Sequence, residues 1–187
     1  MAALSEVLIC NLALTKIGQQ RINSLTDSSK AAIFCNQVYE TLRDEVLEDH
    51  PWNFAIKRAS FAQLSSIPAY EFAHEYQIPT DCLRIWRPEN EDTIFKVEDG
   101  KVLCNEGEFK CQYISQVTNP AKFTRNFADA LSIRIAAEIA YAIVGSRELQ
   151  ETMYKFYEIR VRMARSNDAQ EGTVDDIIQT QFLESRY

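Results

Sequence analysis

The chain has 187 residues with a hydrophobic fraction of 46%, enough to bury a core in one domain and far from the profile of a disordered or fibrous protein. No run of about 18 apolar residues exists, which argues against a spanning helix, and the opening stretch lacks the basic start and cleavage site of a signal peptide, so the chain is expected to be made in the cytosol. A net charge of −7 excludes tight, sequence-independent binding to DNA phosphates, and five cysteines without CxxC spacing point to reduced thiols rather than a disulfide framework or a zinc site.

Leu4, Val7, Leu8, Leu12, Leu14 and Ile17 recur near helical spacing before Gly18, which predicts a first helix over residues 3–17. The polar stretch 19–27 reads as a loop ending in a cap. A second helix follows from Ser28 or Ser29 to Asp49, with Phe34, Val38, Leu42 and Val46 stacked at i+4 on one face. Its other face carries Glu40, Asp44, Glu45 and Glu48, with Arg43 alone against them. Solvation is the plain reading of that face, and an acidic lining is the functional one.

The stretch His50-Pro51-Trp52-Asn53-Phe54-Ala55 marks a changeover. Pro51 pushes the residue before it out of the helical region, so the second helix has to stop there, and two large aromatic residues follow at once. Beyond it the hydrophobic period shortens to two. Strands are expected over 56–64, 72–78, 82–87, 94–97, 101–104 and 109–114, and Asp99-Gly100 is the strongest hairpin signal. The segment 88–92 is an acidic turn bearing Glu89, Glu91 and Asp92. These strands read as an antiparallel meander with one wet face.

Residues 123–144 form the most apolar segment, a helix apolar nearly all round and therefore central; Arg134 and Glu138 lie in it four apart and need partners. A last helix is expected over 147–165, with Leu149, Met153, Phe156 and Met163 as its inner stripe and Lys155, Arg160, Arg162 and Arg165 making its second half basic. The remainder begins polar and acidic, with Asp168 among its residues, and turns apolar at Ile177, Ile178, Phe182, Leu183 and Tyr187. Such a tail is expected to be mobile alone and ordered by a partner. The fold class read from this order is α+β: an antiparallel-type helical bundle discontinuous in sequence (1–55 and 118–169), an inserted antiparallel β-meander (56–117) and a mobile C-terminal tail (170–187).

Tools for catalysis are not legible. The sequence has no GxGxxG, Walker, HExxH, GxSxG or EF-hand pattern, and its five glycines are too scattered to cradle a phosphate. His50 and His74 lack the paired spacing that would join them to Cys82 or Cys104 around a metal, no thiol has an assignable base, and no carboxylate pair is singled out. No catalytic residue, metal ligand or cofactor is assigned.

The opening LALTKIGQQRINSL, the run VYETLRDEVLEDHPWNFA, the later YQIPTDCLRIWR and the closing pair of helices together resemble the head-to-tail adaptors of tailed bacteriophages, the tail tubular protein A or gatekeeper group, with relatives in prophages and gene transfer agents. The likeness spans residues 4–165. It implies a virion structural protein without turnover, located in the neck. Such a protein assembles in the host cytoplasm as a ring, typically twelvefold, beneath the portal, extends the DNA channel and gives the tail nozzle or next tail component a docking surface. The free protein is allowed to be monomeric, no membrane is involved, and DNA passes without being specifically bound.

Within that implication, His50, Pro51, Trp52, Asn53 and Phe54 are the hinge between the parts. Glu40, Asp44, Glu45, Glu48, Glu89, Glu91 and Asp92 are candidates for an acidic channel lining that repels phosphates. Arg160, Arg162, Arg165, Ile177, Ile178, Phe182, Leu183 and Tyr187 are the candidate surface for the portal or a neighbouring subunit. Two other classes stand beside this one: a non-viral helical interaction or scaffold module, and a virion-associated hydrolase using carboxylates or His74.

Overall fold

The computed structural model describes residues 3–171. Four helices, α1 (Glu6–Lys16), α2 (Lys30–Glu48), α3 (Arg125–Val144) and α4 (Arg147–Ala169), lie before and after six strands. Each helix starts on a hydroxyl. Ser5, Ser29, Thr124 and Ser146 accept a hydrogen bond from the backbone N–H three residues on, at 3.1–3.2 Å. Between α3 and α4 the chain turns at Gly145, whose φ of 79° suits a residue without a Cβ and lets its N–H close back on the Tyr141 carbonyl.

The strands are β1 (Ile56–Gln63), β2 (His74–Gln77), β3 (Cys82–Pro88), β4 (Phe95–Glu98), β5 (Lys101–Cys104) and β6 (Phe109–Ser115). They form one antiparallel half-barrel sheet in the order β3-β6-β1-β2-β5-β4. This corrects the expected helical bundle with an inserted meander: the centre of the protein is sheet-rich, with helices at the N- and C-terminal ends of the chain. In a meander each strand pairs with the next. Here β3 leaves β2 to pair with β6, and β6 returns to pair with β1 along Ile56↔Ile114 to Phe61↔Phe109. Period-two alternation identifies strands but carries no information on such long-range pairing, and only the tight turns were readable. The β4–β5 turn is one of them. Asp99 and Gly100 both have positive φ, 49° and 69°, as a two-residue hairpin of matching twist demands.

β1 makes the curvature possible. Its residues Ile56 to Phe61 pair with β6, while Ala62 and Gln63 pair with β2, so the sheet changes partner along one strand and wraps round. The hollow is filled by Phe61, Tyr76, Val102, Cys104, Phe109, Cys111 and Tyr113. Phe109 is the hub, with ring centroids 5.3–5.9 Å from Phe95, Phe61 and Tyr76. A second core lies among the helices, where α3 packs against α1, α2 and α4. The alanines of α3, buried at 128, 130, 136, 137 and 140, let three neighbours approach one rod.

Trp52 belongs to the helical core and lies just before the chain enters β1. Its side chain is fully buried, its indole N–H donates to the Val46 carbonyl at 2.8 Å, and Phe127 of α3 stands edge-on to it at 5.1 Å. Val46 lies in the last turn of α2, whose carbonyls have no intrahelical partner, so the indole satisfies a group the helix leaves open. Trp52→Ala is expected to cost about 3–5 kcal/mol of stability, read as a lowered midpoint in chemical denaturation.

Candidate functional site

The joint is a short turn held from three sides. After α2 ends, residues 53–55 make a single 3-10 turn that leads directly into β1. Phe54 packs against Phe123 and Phe127 at 5.8 and 5.1 Å, and His50 lies edge-on to Trp52 at 4.8 Å. Asp168, from the last turn of α4, closes the third side. Its carboxylate accepts from the Asn53 backbone N–H at 3.1 and 3.3 Å and lies 3.5 Å from His50 Nε2, while Asn53 Nδ2 donates to the Asp168 carbonyl at 2.6 Å. With 5% of its surface exposed, Asp168 depends on these donors. Nearby, Arg165 Nη2 reaches Asp49 Oδ2 at 3.5 Å. His50, Trp52, Asn53 and Phe54 are thus all engaged, and Pro51 is the bend between them.

Sequence reasoning missed Asp168 because it ended the last helix at residue 165 and assigned Asp168 to the polar tail. The helical period was the available signal: Met153, Tyr157, Val161, Ala164 and Asp168 follow one another at three- and four-residue steps, and the stripe that the first four bury continues to Asp168.

The same helix corrects a second expectation. Met153 is buried as expected, but Phe156 and Met163 are 51% and 53% exposed, and with Ile159 at 56% they form a separate apolar stripe. At 100° per residue this stripe sits about a third of a turn from the buried one. It borders a groove of about 420 Å³ whose other walls are Ile133, Met153, Lys16, Asp129 and Arg160. Asp129 is shared by Lys16 at 3.0 Å and Arg160 at 2.6 Å. Of the three cations expected at an interface, Arg160 and Arg165 are therefore in intramolecular pairs, and Arg162 is exposed. Ile177, Ile178, Phe182, Leu183 and Tyr187 lie outside the described residues.

The acidic candidates fall into two separate groups. On α2, Asp44 is paired with Arg43 at 2.8 Å and accepts from Gln116 Nε2 at 2.7 Å, and Glu45 is held by Arg134 at 3.1 and 3.2 Å. Glu40 and Glu48 are exposed and form no ion pair among the described residues. Arg134 also donates to Glu138 at 2.8 Å and lies over the Tyr154 ring, so it ties α2, α3 and α4 together. Its guanidinium holds the Glu138 carboxyl below the usual carboxylate range.

Glu89, Glu91 and Asp92 are exposed at the other end of β3. The Glu89 N–H bonds the Lys110 carbonyl, whereas Gln116, which touches α2, is six residues along from Lys110, a separation of about 20 Å in a strand. Glu89 and Glu91 border a cavity of about 740 Å³ that Arg58, Arg87 and Lys110 also line. That surroundings are mixed in sign, unlike a uniform acidic wall.

Burial pushes the thiols of Cys82 and Cys111 up to about 11 and about 12, so both are protonated at neutral pH and are poor nucleophiles. Among the described residues no group of three His, Cys, Asp or Glu side chains could hold a metal ion, and no helix is long and apolar enough to cross a membrane. His74 Nδ1 is 2.9 Å from Gln63 Nε2 across the β1–β2 pair. No protein-family model matches the chain, and no curated protein matches it in sequence.

Asp168→Ala removes the carboxylate to which the Asn53 N–H donates and is expected to cost about 1–3 kcal/mol in chemical denaturation. The m-value should stay unchanged, because the surface exposed on unfolding is the same.

Proposed function

We propose that this chain is a structural adaptor of a virion neck, assembling as a ring beneath the portal, extending the DNA channel and offering the next tail component its attachment surface. One observation carries the reading: the ordered run from the second helix through His50-Pro51-Trp52-Asn53-Phe54-Ala55 that motivates the resemblance is also the joint in which Trp52 is bonded to α2 and Asp168 of α4 to Asn53, in the turn that leads into β1. An adaptor has to present different surfaces to different neighbours at a constant angle, and a joint held from three sides supports that task.

In this reading the parts divide the work. Glu40 and Glu48 are exposed on α2 and form no ion pair among the described residues, and they suit a lining that repels phosphates and keeps the duplex moving. Asp44 and Glu45 belong to the frame, since each is already bonded within the protein. The exposed side of α4 with Arg162, continued by residues 170–187, faces the portal or a neighbouring subunit. The partners are the portal, further copies of the chain and the next tail protein, with DNA as passing cargo, and no cofactor enters.

Mixing the chain with its cognate portal, followed by sizing and electron microscopy, should add a ring of density beneath the portal. Absence of association at micromolar concentrations overturns the adaptor reading. Deleting residues 170–187 should abolish portal binding while leaving the folded chain intact by circular dichroism; normal docking of the truncated chain removes that surface from the proposal. Glu40→Lys combined with Glu48→Lys should slow DNA exit from assembled particles, and an unchanged ejection rate removes α2 from the channel wall.

A further inference from the structure

α4 shows an apolar stripe that nothing in the described residues covers. Phe156, Ile159 and Met163 lie along one side of it, each more than half exposed, and Ile133 of α3 floors the groove beside them. Three large apolar side chains in line on a helix are a surface that ordinarily finds a partner. On the flank turned away from the groove, helical spacing places Glu148, Glu151, Lys155, Glu158, Arg162 and Arg165, all exposed except the half-buried Arg165. In chain order they read acid, acid, base, acid, base, base. Reversed in direction and in sign, that order is unchanged.

We infer that this face of α4 pairs with the same face of a second copy of the chain, the two helices running antiparallel about a two-fold axis beside Phe156 and Tyr157. The charge order selects that occupant. A two-fold contact is self-complementary, and an antiparallel copy in this register sets Glu148 against Arg165, Glu151 against Arg162 and Lys155 against Glu158, each pair occurring twice. The same axis serves the apolar stripe, because it brings Phe156 beside its own copy and beside Ile159, and Met163 beside Thr152. A parallel copy would set every one of these charges next to its like. The other charges of the helix do not oppose the register. Arg160 is held by Asp129 and falls opposite Met153, Arg147 lies over the Tyr141 ring and falls opposite Ser166, and Asp168 is buried against Asn53. Arg165 already reaches Asp49 at 3.5 Å, and Glu148 adds a second carboxylate to it. Such a contact closes on itself and leaves no place for a third copy, so it describes the chain before any larger assembly and stands whether or not the chain is an adaptor.

The test follows the full chain by sedimentation velocity across micromolar concentrations. A reversible equilibrium between monomer and dimer is expected, weakened by added salt because the charge pairs lie at an exposed rim. Glu151→Arg and Arg162→Glu each set like charges opposite one another and should weaken association about tenfold, whereas the two changes together restore opposite signs and should return it to its original strength. Ile159→Glu should abolish the dimer while leaving the unfolding midpoint in dilute solution in place, because Ile159 is exposed. A chain that stays monomeric throughout overturns the inference, as does a dimer indifferent to Ile159→Glu. Growth into larger species without a dimer overturns it too, and losses that add up in the double variant overturn the antiparallel register.

Discussion

Burying Trp52 is the requirement from which much of the architecture follows. An indole carries one N–H, and inside a core that donor needs an acceptor. The Val46 carbonyl, left open at the end of α2, is the acceptor, so the helix has to end where Pro51 ends it and the chain has to double back within six residues. Phe54 and Phe127 close over the ring, and α3 is thereby placed against the joint. The backbone N–H next to the indole, that of Asn53, then faces the Asp168 carboxylate. Helix termination, helix packing and the start of the sheet are one arrangement seen from three positions.

How much of this was readable from the residues varies with the range of the interaction. The cap before the second helix, the Pro51 stop, the break between residues 144 and 147 and the Asp99-Gly100 hairpin are local, and their positions agree with the structure to within a few residues. The sheet order is not local. Nothing in the alternation of β6 says that it lies between β3 and β1, because hydrophobic period specifies a face and not a neighbour. The curved sheet therefore went unread, and with it the aromatic hub at Phe109.

The surfaces were harder still, since an amphipathic pattern does not say which of two stripes is buried. α4 carries both Met153-Tyr157-Val161-Ala164 and Phe156-Ile159-Met163, and sequence reasoning merged them into one. Charges showed the same ambiguity. Glu45 and Glu48 look alike on a helical wheel, yet Arg134, 89 residues further on, engages only the first. The geometry divides the acidic residues of α2 into those bonded within the protein, Asp44 and Glu45, and those on its surface, Glu40 and Glu48.

The bond between Asp168 and Asn53 also determines where the chain departs from the folded body. A helix of the length of α4 usually delivers its successor to the far end of a bundle. Here the last helical turn is tied to the turn that leads into β1, 115 positions earlier in the chain. Residues 170 and 171 therefore leave the folded body beside the turn that leads into β1. The end of α4 and the entry into β1 are in this way secured by one carboxylate, so loss of Asp168 loosens both at once.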